Sequence, residues 1–84
     1  QLFNRRRISR IIQREIIRAQ KSNETICLAL IDIDFFKQVN DIHGHLVGDH
    51  VLCMLANTLE TVLRPSDSVG RWGGEEFLIL LPKV

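Results

Sequence analysis

Two adjacent glycines between apolar segments restrict the fold of this chain more than any other feature. Gly73 and Gly74 separate residues 69–72 from residues 77–81, and two glutamates follow the glycines directly. Glycine readily adopts the positive φ angles that a tight hairpin turn requires, so this segment predicts a β-hairpin. The turn places two carboxylates at the start of a strand, beside a backbone that a ligand can approach closely.

The rest of the chain predicts helices around a small sheet. Isoleucines at helical spacing predict an amphipathic helix over about residues 4–21. Residues 25–34 form a nearly continuous apolar run, too short for a typical helix, which predicts a central strand covered on both faces. The other predicted elements are helices over residues 35–42 and from residue 46 to Pro65, and hairpin strands over residues 68–72 and 75–81.

The size of the chain fits one small domain or part of one. A sheet of three strands would leave an open edge, so we expect these 84 residues to begin a longer domain. No apolar stretch approaches the roughly 20 residues that span a bilayer, and no secretory signal opens the chain. Cys27 and Cys53 form no paired spacing, which indicates reduced core thiols of a cytosolic protein.

The charge of the chain is divided unevenly along its length. Residues 1–21 carry seven basic side chains and one acidic one, whereas the remainder carries four basic and nine acidic ones. The first helix could therefore face an anionic partner or the acidic part of its own chain, or it could simply present a solvated face. It lacks aromatic residues for stacking on bases, so no nucleic-acid partner is expected.

A pair of acids ends the predicted strand. Asp32 and Asp34 lie two residues apart, so on a strand they project from the same face. Carboxylates at the end of a buried strand carry a desolvation cost, which a hard divalent cation would compensate. Alternatively, both acids cap the helix that begins at Phe35, where negative charge meets the helix dipole. This pair alone leaves both interpretations open.

Polar side chains follow around two glycine breaks. Amides at a helix start bind phosphate, and Lys37 adds a mobile positive charge there. Asn40 and Asp49 carry groups that could read the hydrogen-bonding edge of a base, and His45 lies between them. Three histidines within eight positions do not make a zinc site, because no cysteine or second histidine cluster completes it.

Four motifs in this order resemble the GGDEF family of bacterial diguanylate cyclases. They are Ile31-Asp32-Ile33-Asp34-Phe35-Phe36-Lys37, Asn40-Asp41, Gly44-His45-x-x-Gly48-Asp49 and Arg71-Trp72-Gly73-Gly74-Glu75-Glu76-Phe77. Residues 2–6 also resemble the end of the family's opening segment. The resemblance covers residues 1–84 as a partial GGDEF domain. It implies an α/β (α+β), palm-like nucleotidyl cyclase fold with a mixed sheet flanked by helices, here a part with three strands.

The resemblance implies synthesis of cyclic di-GMP from two GTP molecules, with attack of a ribose 3′-hydroxyl on an α-phosphate and release of pyrophosphate. The alternative is a non-catalytic module that senses GTP or cyclic di-GMP. The expected metal is Mg²⁺ or Mn²⁺, and the expected assembly is a cytoplasmic homodimer whose parent chain carries sensory or transmembrane domains. Because the second half of the family domain follows the hairpin, residues 1–84 alone should have little cyclase activity.

The family motifs imply a role for individual residues. Asp32, Glu75 and the Ile33 carbonyl would hold the metal, Glu75 would also be the candidate base, and Lys37 would stabilise phosphate charge. The substrate contacts would fall on Phe35, Phe36, Asn40, His45, Asp49, Gly73 and Gly74.

Arg64 and Asp67 resemble the family's RxxD inhibitory site, at which cyclic di-GMP would bind as the feedback inhibitor. An arginine can fork onto a phosphate, and an aspartate can accept from guanine N–H groups. The alternative is an arginine at a helix C-terminus followed by a loop acid, which the helix dipole alone would favour.

Overall fold

A computed structural model describes residues 2–84 and contains four strands and three helices. They are β1 (Leu2–Phe3), α1 (Arg5–Ser22), β2 (Ile26–Asp32), α2 (Phe36–His43), α3 (His45–Val62), β3 (Ser68–Arg71) and β4 (Glu76–Pro82). The predicted helices, the hairpin and the mixed sheet flanked by helices are confirmed. The predicted number of three strands is wrong by one, because β1 has two residues and is too short to give a periodic pattern.

The four strands form one mixed sheet in the order β1-β3-β4-β2. β1 is parallel to β3, whereas β4 is antiparallel to both of its neighbours. Within residues 2–84, β3 and β4 are thus each flanked on both sides, and β4 is the longer of the two. The predicted central position of β2 is not found in this sheet. In the described sheet β2 lies at one edge, where Leu28 and Leu30 are 47% and 57% exposed. An apolar run shows that both faces of a strand are apolar, but it does not identify the strand's neighbours.

Helix α1 covers one face of the sheet. Its side chains Ile8 and Ile12 form a buried cluster with Leu80 of β4. The helix begins at a cap in which Asn4 Oδ1 accepts a hydrogen bond of 2.8 Å from the backbone N–H of Arg7. It ends at Asn23, which adopts the left-handed conformation typical of a helix C-terminus.

Helices α2 and α3 cover the other face. Phe36 and Leu52 pack with Val69, Phe77 and Ile79 in the larger buried cluster. Because side chains alternate along a strand, β4 directs Phe77 and Ile79 to this cluster and Leu80 to the α1 cluster. The two layers of helices therefore share β4 as their common support.

Surface features correct one prediction and refine another. Cys27 and Cys53 are both free and both exposed, so the prediction of core thiols is wrong; an apolar neighbourhood in sequence did not reveal which face of the element is buried. The guanidinium of Arg18 binds the carboxylates of Glu15 at 2.8 Å and Glu24 at 3.1 Å. One basic residue of the first helix therefore faces acids of its own chain. Within residues 2–84, no helix combines the length and apolarity needed to cross a membrane.

We expect Gly70→Ala to destabilise the fold. A Cβ atom at Gly70 would lie 2.5 Å from the Cβ atom of Ile8, which is fully buried, so α1 would have to move away from β3. Overpacking of this kind costs about 1–3 kcal/mol of unfolding free energy. Urea denaturation of the full-length protein measures the loss. Gly74→Ala is the matched control, since a Cβ atom there meets nothing within 4 Å. Equal stability of the two variants would contradict this packing argument.

Candidate functional site

Acidic side chains meet where β2 ends and β4 begins. The antiparallel register places Asp32 directly opposite Glu76, so both side chains project from the same face of the sheet. Glu75 directly precedes Glu76 in the half-buried end of the turn. Like charges at facing positions repel, and a cation between them would remove that cost. The strand register thus pairs Asp32 with Glu76, a residue for which no role was predicted from the sequence.

The glycine turn adopts a different conformation from the predicted one. Neither Gly73 nor Gly74 has a positive φ angle, so the predicted reason for the glycines is wrong although the hairpin is present. Gly73 instead supplies space, because a Cβ atom there would lie 2.3 Å from Oε1 of Glu76. The carboxylate of Glu76 therefore lies over the Gly73 backbone. Around Gly74 the space is open, which leaves the turn accessible to a ligand.

A cavity of about 480 Å³ lies between α3 and the sheet, which is within the size range of small-molecule sites. Asp49, the predicted base-reading residue, lines it together with apolar side chains such as Leu52 and Phe77. Arg71 also lines this cavity, and its guanidinium donates hydrogen bonds to the carbonyl oxygens of both turn glycines. Arg71 thus connects the cavity to the turn. The sequence alone did not predict this role in the structure.

The start of α2 lies close in sequence to Asp32. Phe35 has a φ of 60° and a side chain that is 73% exposed, which is unusual for a bulky residue and typical of strained functional segments. Phe36 is buried, and Lys37 is exposed on the first turn of the helix. In the described part of the chain no side chain caps α2 by a hydrogen bond. Neither aspartate therefore caps this helix by a hydrogen bond, and the alternative based on the helix dipole stays a prediction.

Asn40 and His45 do not line the cavity that contains Asp49. Asn40 is half-buried on α2 and packs against Gly48 of α3, where a Cβ atom would lie 1.8 Å from its Oδ1 atom. The absence of a side chain at Gly48 therefore permits this close contact. It places the Asn40 amide next to the residue that precedes Asp49 in the sequence. His45 is exposed at the first position of α3.

Arg64 and Asp67 form a tight pair in the loop after α3. The Arg64 guanidinium binds Asp67 Oδ1 at 2.8 Å, and the Arg64 backbone N–H donates to Oδ2 at 2.8 Å. These bonds hold the pKa of Asp67 below its usual value, because they favour the charged carboxylate. Arg64 also donates to the carbonyl oxygen of Pro82 at 2.8 Å, so the pair ties the end of α3 to the end of β4. A separate cavity of about 260 Å³ adjoins both residues.

Comparison with known proteins identifies the family of the chain. The family model "Diguanylate cyclase, GGDEF domain" matches residues 1–84. Diguanylate cyclase DgcM of Escherichia coli is 48% identical over 83 residues, which are 99% of this chain and 20% of that protein.

Two solved structures have the same fold over 99% of the chain. Diguanylate cyclase SiaD of Pseudomonas aeruginosa, in complex with its activator SiaC, gives a TM-score of 0.96 at 49% identity, with 32% of its chain covered. The GGDEF domain of DgcB from Caulobacter crescentus, in complex with c-di-GMP, gives a TM-score of 0.95 at 38% identity, with 47% covered. The chain thus spans about a fifth of DgcM and about half of the DgcB structure. This chain belongs to the GGDEF domain family.

Proposed function

We propose that the full-length protein carrying this chain is a diguanylate cyclase, which joins two GTP molecules into cyclic di-GMP and releases two pyrophosphates. The observation that carries this proposal is the facing pair of Asp32 and Glu76 beside an open glycine turn. The similarity to enzymes named diguanylate cyclases, and to a GGDEF domain solved with c-di-GMP, supports the nucleotide class. We further propose that two copies act as a homodimer, since the reaction consumes two GTP molecules.

We infer that Asp32, Glu75 and the carbonyl of Ile33 hold a divalent cation, Mg²⁺ or Mn²⁺, next to Glu76, which faces Asp32. Within residues 2–84 no three carboxylate, imidazole or thiol side chains are grouped as a complete metal cage. This donor set fits a cation that takes only one or two carboxylates and completes its shell with water and substrate phosphates, as Mg²⁺ does. When bound, the cation would neutralise phosphate charge and make the ribose hydroxyl more acidic.

The chain's own residues then orient the substrate and move one proton. Glu75 accepts the proton of the attacking 3′-hydroxyl, the 3′-oxygen bonds to the α-phosphorus, and the bond to the pyrophosphate oxygen breaks. Lys37, exposed on the first turn of α2, neutralises the phosphates. The uncapped start of α2 offers the Phe35 and Phe36 amides to phosphate oxygens. The open space at Gly74 permits the α-phosphate to approach.

The guanine and ribose contacts follow from the residues around the α2–α3 junction. Asp49 lines the larger cavity, where its carboxylate can accept from the two N–H groups of a guanine edge. Asn40 presents its amide against Gly48, the residue that precedes Asp49 in the sequence. His45 begins α3 and completes the polar set. We assign Arg64 and Asp67, with their own cavity, to binding of the cyclic product as an inhibitor.

Substitution of Glu75 tests the proposed reaction. In the full-length protein we expect Glu75→Gln to lower the turnover of GTP to cyclic di-GMP by at least about a hundredfold, because the base and one metal ligand are lost. Chromatographic detection of the product measures turnover. Binding of cyclic di-GMP, measured by calorimetry, should survive, because Arg64 and Asp67 are intact.

The matched control is Glu24→Gln, which removes an equal charge from a residue that pairs with Arg18 at the far end of α1. This variant should keep its turnover. Turnover of Glu75→Gln equal to that of the control would exclude the role assigned to Glu75. A full-length wild type that binds cyclic di-GMP without making it would favour the sensing module instead.

The Arg64–Asp67 pair should make stability depend on acid pH. The pKa of Asp67 is lower in the folded state than its ordinary value of 3.8. Its charged form therefore stabilises the fold above about pH 4, and this stabilisation is lost as pH falls through the lower folded value. We expect Asp67→Asn to destabilise the protein at pH 7 and to match wild type more closely at pH 3, as measured by urea denaturation. Asp41→Asn, at an exposed position of α2, is the control. A constant difference for Asp67→Asn across this range would refute the linkage.

A further inference from the structure

An arginine at the start of α1 contacts the glycine turn from a distant part of the sequence. The guanidinium carbon of Arg5 lies 4.2 Å from the centroid of the Trp72 ring, within the range of a cation–π interaction. Nη1 of Arg5 also donates to the carbonyl oxygen of Trp72 at 3.4 Å. Trp72 is the residue between β3 and the two glycines, so Arg5 reaches the turn itself.

Two arginines together hold one side of the turn. Arg71 donates to the carbonyl oxygens of Gly73 and Gly74, and Arg5 donates to that of Trp72, so three consecutive carbonyls accept from guanidinium groups. The N–H groups of Trp72 and Gly73 both point to the carbonyl oxygen of Glu76, at 2.8 and 3.4 Å. Glycine has little conformational preference of its own, so these contacts decide the shape of the turn.

The backbone of Arg5 is held in place by the start of α1. Asn4 caps the helix in which Arg5 is the first residue, and Ile8, one turn later, is fully buried against Gly70. Because the start of α1 is anchored in this way, the planar guanidinium of Arg5 can stack on the Trp72 ring in one position. A lysine at the same position would keep the charge but lose the planar stacking surface.

We propose that Arg5 is a positioning residue for the cyclase reaction: by stacking on Trp72 it holds the turn that carries Glu75 in its reactive conformation. The proposal rests on the proposed function, because the turn matters only if its carboxylates serve the reaction. Arg5 acts through Trp72. Its loss should therefore affect the geometry of the bound complex, and hence kcat, more than the KM for GTP.

Kinetics of the full-length protein test this role. We expect Arg5→Met to lower kcat about fivefold with a smaller change in KM, in line with the energy of an exposed cation–π contact. Arg5→Lys should restore part of the loss. Arg6→Met, which removes the same charge from the neighbouring exposed position, is the control and should leave kcat unchanged. In a Trp72→Leu background, Arg5→Met should cause little further loss, because the two residues act as one unit.

Fluorine NMR of protein labelled with 5-fluorotryptophan reads the contact without turnover. The Trp72 resonance is assigned by its disappearance in Trp72→Phe, and we expect it to shift in Arg5→Met but not in Arg6→Met. An active wild type with equal kcat for both arginine variants would overturn this inference alone. A wild type that makes no cyclic di-GMP would contradict the proposed function. In that case an unshifted Trp72 resonance in Arg5→Met would also overturn the contact, and a shifted one would support it.

Discussion

The pairing of β4 with both of its neighbours is the interaction on which the rest of the structure depends. β4 is hydrogen-bonded to β3 on one side and β2 on the other, and its two faces support α1 and the α2–α3 layer. A slip of one residue would exchange the side chains of the two faces, so burial of Phe77 and Leu80 fixes the register. That same register places Asp32 opposite Glu76. The hydrophobic core therefore determines where the carboxylates meet.

The chemistry of the candidate site follows from the ends of these elements. Carboxylates collect where β2 ends and β4 begins, whereas guanidinium groups bind the carbonyl oxygens of the turn between β3 and β4. The carbonyl oxygens of the turn are thus bound by arginine guanidinium groups, and its acidic residues lie where β4 begins. The glycines serve this arrangement by occupying little volume, since the Glu76 carboxylate fills the place of a Gly73 side chain. A larger residue at Gly73 would displace an acid of the site.

The sequence predicts the local elements well and their neighbours poorly. Helical spacing in α1 and the glycine-punctuated hairpin are local signals, and the structure confirms both. The central position of β4, the exposure of Leu28 and the position of Glu76 opposite Asp32 depend on which strands pair and in which register. No local pattern records that information, because an apolar run looks the same at the edge and at the centre of a sheet. The same limit applies to the Arg5–Trp72 contact, because it joins residues 67 positions apart.

The family motifs compensated for part of this. They predict Asp32, Asp49, Glu75, Arg64 and Asp67 as site residues, and this prediction does not depend on strand pairing. The structure adds the physical surroundings of each residue: a cavity at Asp49, a bonded partner for Asp67, and a facing carboxylate for Asp32. The motifs thus predict which residues belong to the candidate site, and the structure shows which groups these residues contact.

Strand β4 also has a mechanical consequence. Its first residue, Glu76, faces Asp32, and its last residue, Pro82, is held by Arg64. The strand spans about 20 Å between these two points, and it pairs with β2 along its whole length and with β3 over residues 77–80. Sliding of β4 along its axis would break the hydrogen bonds of both pairings at once. A displacement at one end of the strand would therefore be transmitted to the other end.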